Sequence, residues 1–111
     1  MSHATDVEWA QGCARGEAEA LTRFEVEFRP LMVATARRFG SADFAQEVAQ
    51  AVRERLLVGD GDRSPRIGDY SGQGPLAGYV QAVTVRLALN RLAAESRRPV
   101  GGDEAVFEKV K

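Results

Sequence analysis

Residues 59–74, GDGDRSPRIGDYSGQG, place five glycines, one proline and three aspartates in 16 positions. No continuous helix survives such a stretch, because glycine carries the largest entropy cost on ordering and proline removes a backbone donor. The rest of the chain up to about residue 98 reads as helix. The expected architecture is a set of helices before one long loop and a single long helix after it. Loops of this length in small domains are uncommon and are functional or disordered when they occur. Ile67 and Tyr70 are its only sizeable apolar side chains and are expected to pin it to the core.

The helical segments have recognisable ends. Residues 5–15 form a short helix, with Thr5 or Asp6 as its cap, Val7, Ala10 and Ala14 on one face, and Gly16 at its end. From Glu17 to Phe39, Leu21, Phe24, Phe28, Leu31 and Ala34 or Thr35 keep the three-and-four spacing of an apolar stripe. Pro30 is expected to kink or break that helix, and Gly40 to close it in a left-handed C-cap. Ser41 then reads as an N-cap, and a third helix runs to about Val58 with Phe44, Val48, Val52 and Leu56 in one row. The fourth helix starts at Pro75 and runs to about Arg98. Leu76, Val80, Leu87 and Ala94 share one of its arcs, and Ala82, Val85, Leu89 and Leu92 another. The fold class is therefore all-α, a compact bundle of about four helices over residues 1–98, with 99–111 a tail or the start of a linker.

Composition narrows the function classes. With 111 residues, 44% apolar, the chain makes one domain with a core. Its 15 basic and 16 acidic side chains argue against a histone-like DNA coater, although only the segment from residue 75 onward is net positive. One cysteine, Cys13, allows no internal disulfide, and one histidine, His3, allows no His-based metal site or Ser-His-Asp triad. No metal, cofactor or catalytic constellation is implied, so an enzyme is not expected. No apolar run approaches the ~20 residues of a membrane span, and no export signal is visible. The expectation is a cytoplasmic protein with a reduced thiol and no membrane partner.

Two constellations carry chemistry. Asp43, Glu47, Gln50 and Glu54 form a polar, acidic row on the third helix, which reads either as a docking face for a basic partner or as a solvated helix face. Tyr79, Arg86, Asn90 and Arg97 fall on one line of the fourth helix, and Arg98 follows. Such a line can stack on unpaired bases, neutralise phosphates and hydrogen-bond base edges. Its bland alternative is that Arg86 and Asn90 are partly buried against Glu47 or Asp43, with Arg97 and Arg98 serving the helix dipole. The segment GDYSGQGPL lacks the Gly-Lys-Ser/Thr ending of a P-loop, but it suits a loop shaping a small pocket ahead of the fourth helix.

FAQEVAQAVRERLLV (44–58) and YSGQGPLAGYVQAVTVRLALNRLAAESRR (70–98), in this order, resemble region two of bacterial RNA polymerase sigma factors of the extracytoplasmic-function class. CARGEAEALTRFE (13–25) and PRIGDYSGQGPL (65–76) look most like the myxobacterial-type branch. The resemblance implies a subunit that binds core RNA polymerase and recognises and melts the minus-ten promoter element. Its polymerase-binding residues would be Glu47, Gln50, Arg53 and Glu54, docking on the β′ clamp helices. Tyr70, Ser71, Gln73, Tyr79, Arg86, Asn90, Arg97 and Arg98 would contact the non-template single strand of promoter DNA, with one flipped base held around Tyr70–Leu76.

The pattern departs from the family at several places. Gln46 and Ala51 stand where the family has acids, Tyr79 where it has Trp, Arg86 where it has Asn, Asn90 where it has Asp, and Ala93 where it often has Arg. A complete factor of this class continues into a helix-turn-helix domain beyond the point where this chain reaches Lys111, which is the reason to read residues 99–111 as linker. These substitutions keep a second class open: a sigma-like interaction module that binds polymerase or an anti-sigma factor without melting DNA.

Overall fold

The computed structural model describes residues 3–59 and 65–97. Helix α1 spans Ala4–Ala14, α2 Ala18–Arg37, α3 Ala42–Arg53 and α4 Leu76–Arg97. α3 runs directly into a π-helical turn, Glu54–Val58, and a 3-10 turn, Arg66–Asp69, lies in the loop ahead of α4. No strand occurs among the described residues, which form the all-α four-helix bundle their periodicity implies. None of the described helices is long and apolar enough to cross a membrane.

α2 is the hub, packing on α1, α3 and α4, while α3 also packs on α4. The row Phe44, Val48, Val52 and Leu56 is buried throughout. It meets Phe24, Phe28 and Met32 from α2, and Leu76, Val80 and Ala88 from α4 in one apolar cluster. Each large apolar side chain removed from water here stabilises by about 1.5–3 kcal/mol. α1 closes the bundle through Trp9, whose ring stacks on Phe28 at 5.0 Å and whose Nε1 donates to the Ala20 carbonyl at 3.1 Å. Cys13 donates to the same carbonyl at 3.3 Å, and burial, then the nearby Glu17 carboxylate, push its thiol up to about 11.

Four local expectations are corrected. α1 starts at Ala4 after His3, so neither Thr5 nor Asp6 caps it, and the Asp6 carboxylate serves another helix. α2 is not broken at Pro30 and runs through it. Pro30 is exposed, as is Val26, whose carbonyl it leaves without a helical donor, so water can reach that group. Gly40 does not adopt a positive φ. The end of α2 closes instead by Arg38 and Phe39 N–H groups donating to the Thr35 and Ala36 carbonyls, and Gly40 makes room for the Phe44 ring, 2.6 Å from where a Cβ would stand. On α4 the inward row is Leu76, Val80, Thr84 and Ala88, whereas Ala82, Leu89 and Ala94 are exposed, because α2 and α3 both cover the same side. Ser41 caps α3 as expected, its Oγ accepting from the Phe44 N–H at 3.1 Å. The expected domain edge at 98 and the segment 99–111 lie outside the described residues.

Candidate functional site

The loop ahead of α4 is tied down at four points. Ile67 and Tyr70 are buried in the core, as their apolar character implies. The Tyr70 hydroxyl donates to the Gly74 carbonyl, closing residues 70–74 on themselves. Gly72 has φ +83°, a conformation L side chains rarely adopt, and a Cβ there would stand 2.8 Å from Val7 Cγ2 of α1. The Leu76 N–H, one of the orphan donors that begin α4, is capped by Asp6 Oδ2 at 2.9 Å.

These restraints shape a cleft of about 340 Å³ lined by Asp69, Tyr70, Ser71, Gln73, Gly74, Pro75, Gly78 and Tyr79. That is at the small end of the ~300–1,000 Å³ typical of ligand pockets. The Tyr70 and Tyr79 ring centroids are 5.4 Å apart and tilted by 52°. The Tyr79 hydroxyl donates to the Arg66 carbonyl at 3.1 Å. Burial, then the Asp69 carboxylate, raise that hydroxyl's pKa, against a smaller lowering by Arg66. Burial, then Asp6, likewise raise that of Tyr70. Both phenols are thus neutral hydrogen-bonding groups rather than bases. Ser71 and Gln73 are exposed, and their side chains bond to no described residue. The two rings pack on each other, so a small planar ring would lie against the accessible side of Tyr79 in this cleft, where the free amide and hydroxyl groups of the rim can hydrogen-bond its edge.

A larger groove of about 680 Å³ lies between α1 and α2 and has a different character. Arg15 pairs with Glu17 at 2.8 Å, and Arg23 stacks over the Trp9 ring at 3.9 Å while facing Glu27 at 3.8 Å. Its cations are already engaged by the protein.

Along α4, Tyr79 is half-buried, and Arg86 and Asn90 are exposed with no bond to a described residue. From Tyr79 to Asn90 this line extends about 16 Å at 1.5 Å per residue. The pairing of Arg86 or Asn90 with Glu47 or Asp43 does not occur. Arg97 is the last helical residue, and Arg98 lies outside the described residues.

Asp43, Glu47 and Gln50 of α3 and Glu54 of the π-helical turn that follows are all exposed, on the side away from the buried row. Glu47 meets Arg91 of α4 at 3.1 Å. Gln50 donates to Glu54 at 3.2 Å and accepts from Arg53. Arg53 is held towards α2, its Nε 2.8 Å from Glu25 Oε1. Arg29 bridges Glu25 and Gln46 at 3.3 and 3.1 Å. The free carboxylates of this face are therefore Asp43 and the outer oxygens of Glu47 and Glu54, while Arg53 serves the α2–α3 junction.

Sequence reasoning missed Arg91 and Asp6. Arg91 lies seven residues after the inward Thr84, a spacing that could have placed it beside α3. Nothing local marks Asp6, whose partner is 70 residues away. Among the described residues no cluster of His, Cys, Asp or Glu could hold a metal ion. Comparisons with protein-family models, curated proteins and solved structures find no match for this chain.

Proposed function

We propose that this domain is a sigma-factor region-two module, which binds core RNA polymerase through the outer face of α3 and captures unpaired non-template bases of the minus-ten element at the loop before α4. The observation that carries the reading is the cleft beside the packed Tyr70–Tyr79 pair. It lies at the position where the sequence resemblance expects a flipped base, and the accessible side of Tyr79 and the free rim groups suit one. Extruding a base costs a few kcal/mol, which stacking and edge contacts must offset. Arg86 and Asn90, free and in line with Tyr79, supply a path for the adjoining strand. The acidic outer face of α3, with no partner beyond Arg91 and its own residues, supports docking on a basic helical partner.

A second reading keeps polymerase or an anti-sigma factor as partner and drops the DNA. It is favoured by the exposed apolar side of α4, where Leu89 is 49% exposed two turns after the exposed Ala82, and by the tethering of Tyr79 to Arg66 and Tyr70. The two separate in one experiment. Labelled domain is mixed with core RNA polymerase, with and without forked DNA carrying an unpaired non-template strand. The proposal expects core-bound domain to retain the fork. Binding to core with no retention of the fork leaves the interaction module as the function.

A further inference from the structure

Asp6 makes the longest-range hydrogen bond in the described structure, reaching 70 residues along the chain to the Leu76 N–H. Its side chain is 27% exposed, so the bond is partly shielded from water. Leu76 is fully buried and stands in the chain between the loop residues that line the cleft, Asp69 to Pro75, and its helical lining residues Gly78 and Tyr79. The same turn of α1 presses on the loop a second time, since Val7 Cγ2 occupies the space a Cβ on Gly72 would need. α1 thus contributes no side chain to the cleft lining, yet it fixes both the start of α4 and the apex of the loop.

We propose that Asp6 is a positioning residue for the cleft: by capping α4 at Leu76 it sets the loop 71–75 against Tyr79, in the geometry that accepts an unpaired base. This rests on the nucleic-acid reading given above. Removing the carboxylate frees the Leu76 N–H and lets the loop and the first turn of α4 move together. A carboxamide oxygen can accept the same hydrogen bond.

The test uses the whole chain with Asp6→Ala, Asp6→Asn and, as a matched cap loss elsewhere, Ser41→Ala, which removes the α3 cap. Amide hydrogen exchange is followed at Leu76 and residues 71–74, and binding is measured to a degenerate single-stranded DNA pool. Asp6→Ala is expected to speed exchange at Leu76 and in the loop, and to weaken single-strand binding about tenfold. Asp6→Asn should recover most of both. Ser41→Ala should lower the melting temperature comparably while leaving loop exchange and DNA binding unchanged. Loop exchange unaffected by Asp6→Ala, or equal losses in Ser41→Ala, overturns the inference. A wild-type chain that ignores single strands overturns the nucleic-acid reading instead, and the exchange contrast still decides whether Asp6 holds the cleft.

Discussion

Glu47 of α3 and Arg91 of α4 meet at 3.1 Å, joining the helix that bears the acidic face to the helix that bears the Tyr79 line. Both partners are substantially exposed, at 58% and 39%. Such a pair contributes about 0.2–1 kcal/mol, so it does little for folding and leaves Glu47 available to another cation. Glu47→Lys is expected to melt close to wild type, yet to lose about 2–5 kcal/mol of binding to a β′ clamp-helix fragment, the usual cost of breaking a desolvated charge pair. Arg91→Ala should match its small stability change without the binding loss. Unchanged clamp affinity in Glu47→Lys would remove the docking role.

Tyr79 combines packing with exposure, so its ring and hydroxyl are separable. Tyr79→Phe loses the bond to the Arg66 carbonyl, about 0.5–1.5 kcal/mol of stability, and should keep single-strand binding. Tyr79→Ala should lose about 1–3 kcal/mol of that binding. It should also lose about 2–3 kcal/mol of stability, less than the ~3–5 of a fully buried aromatic. Thermal melts run beside oligonucleotide titrations separate the two effects.

Gly72 and Gly74 are two residues apart and should respond differently to alanine. Gly72→Ala puts a side chain at φ +83° and a Cβ 2.8 Å from Val7, costing at least about 1–2 kcal/mol. Gly74→Ala meets nothing within 4 Å and should be nearly neutral. Chemical denaturation of both variants gives the comparison.

Cys13 should be inert in the folded protein. Its thiol is pushed from 9.0 up to about 11 by burial and by Glu17. The folded state therefore binds this proton more tightly than the unfolded state, and stability should fall as pH rises from about 9 to 11 and be insensitive to this group below 9. Alkylation by iodoacetamide at pH 8 should require denaturant.

The helices were legible because their apolar rows follow the backbone period: Phe44, Val48, Val52 and Leu56 are spaced for one face and are buried on it. Periodicity could not show which of two apolar arcs on α4 faces inward, since that depends on where α2 and α3 lie. The cleft was legible as a position but not as a geometry. Loop length alone makes Gly72 look expendable to stability, whereas its positive φ and its contact with Val7 give it a structural task. Asp6 reads locally as the cap of its own helix, and only the tertiary fold shows that it caps α4.

Capture of unpaired bases in the cleft beside Tyr70 and Tyr79 is tested most directly by a fluorescence anisotropy titration. A degenerate pool of labelled single strands is compared with the same pool annealed to duplex, at two salt concentrations. The expected result is clear preference for the single strands, weak affinity with only a shallow salt dependence because few phosphates are contacted, and loss of the preference in Tyr79→Ala with retention in Tyr79→Trp. Equal binding of duplex and single strand, or preference untouched by Tyr79→Ala, would contradict it.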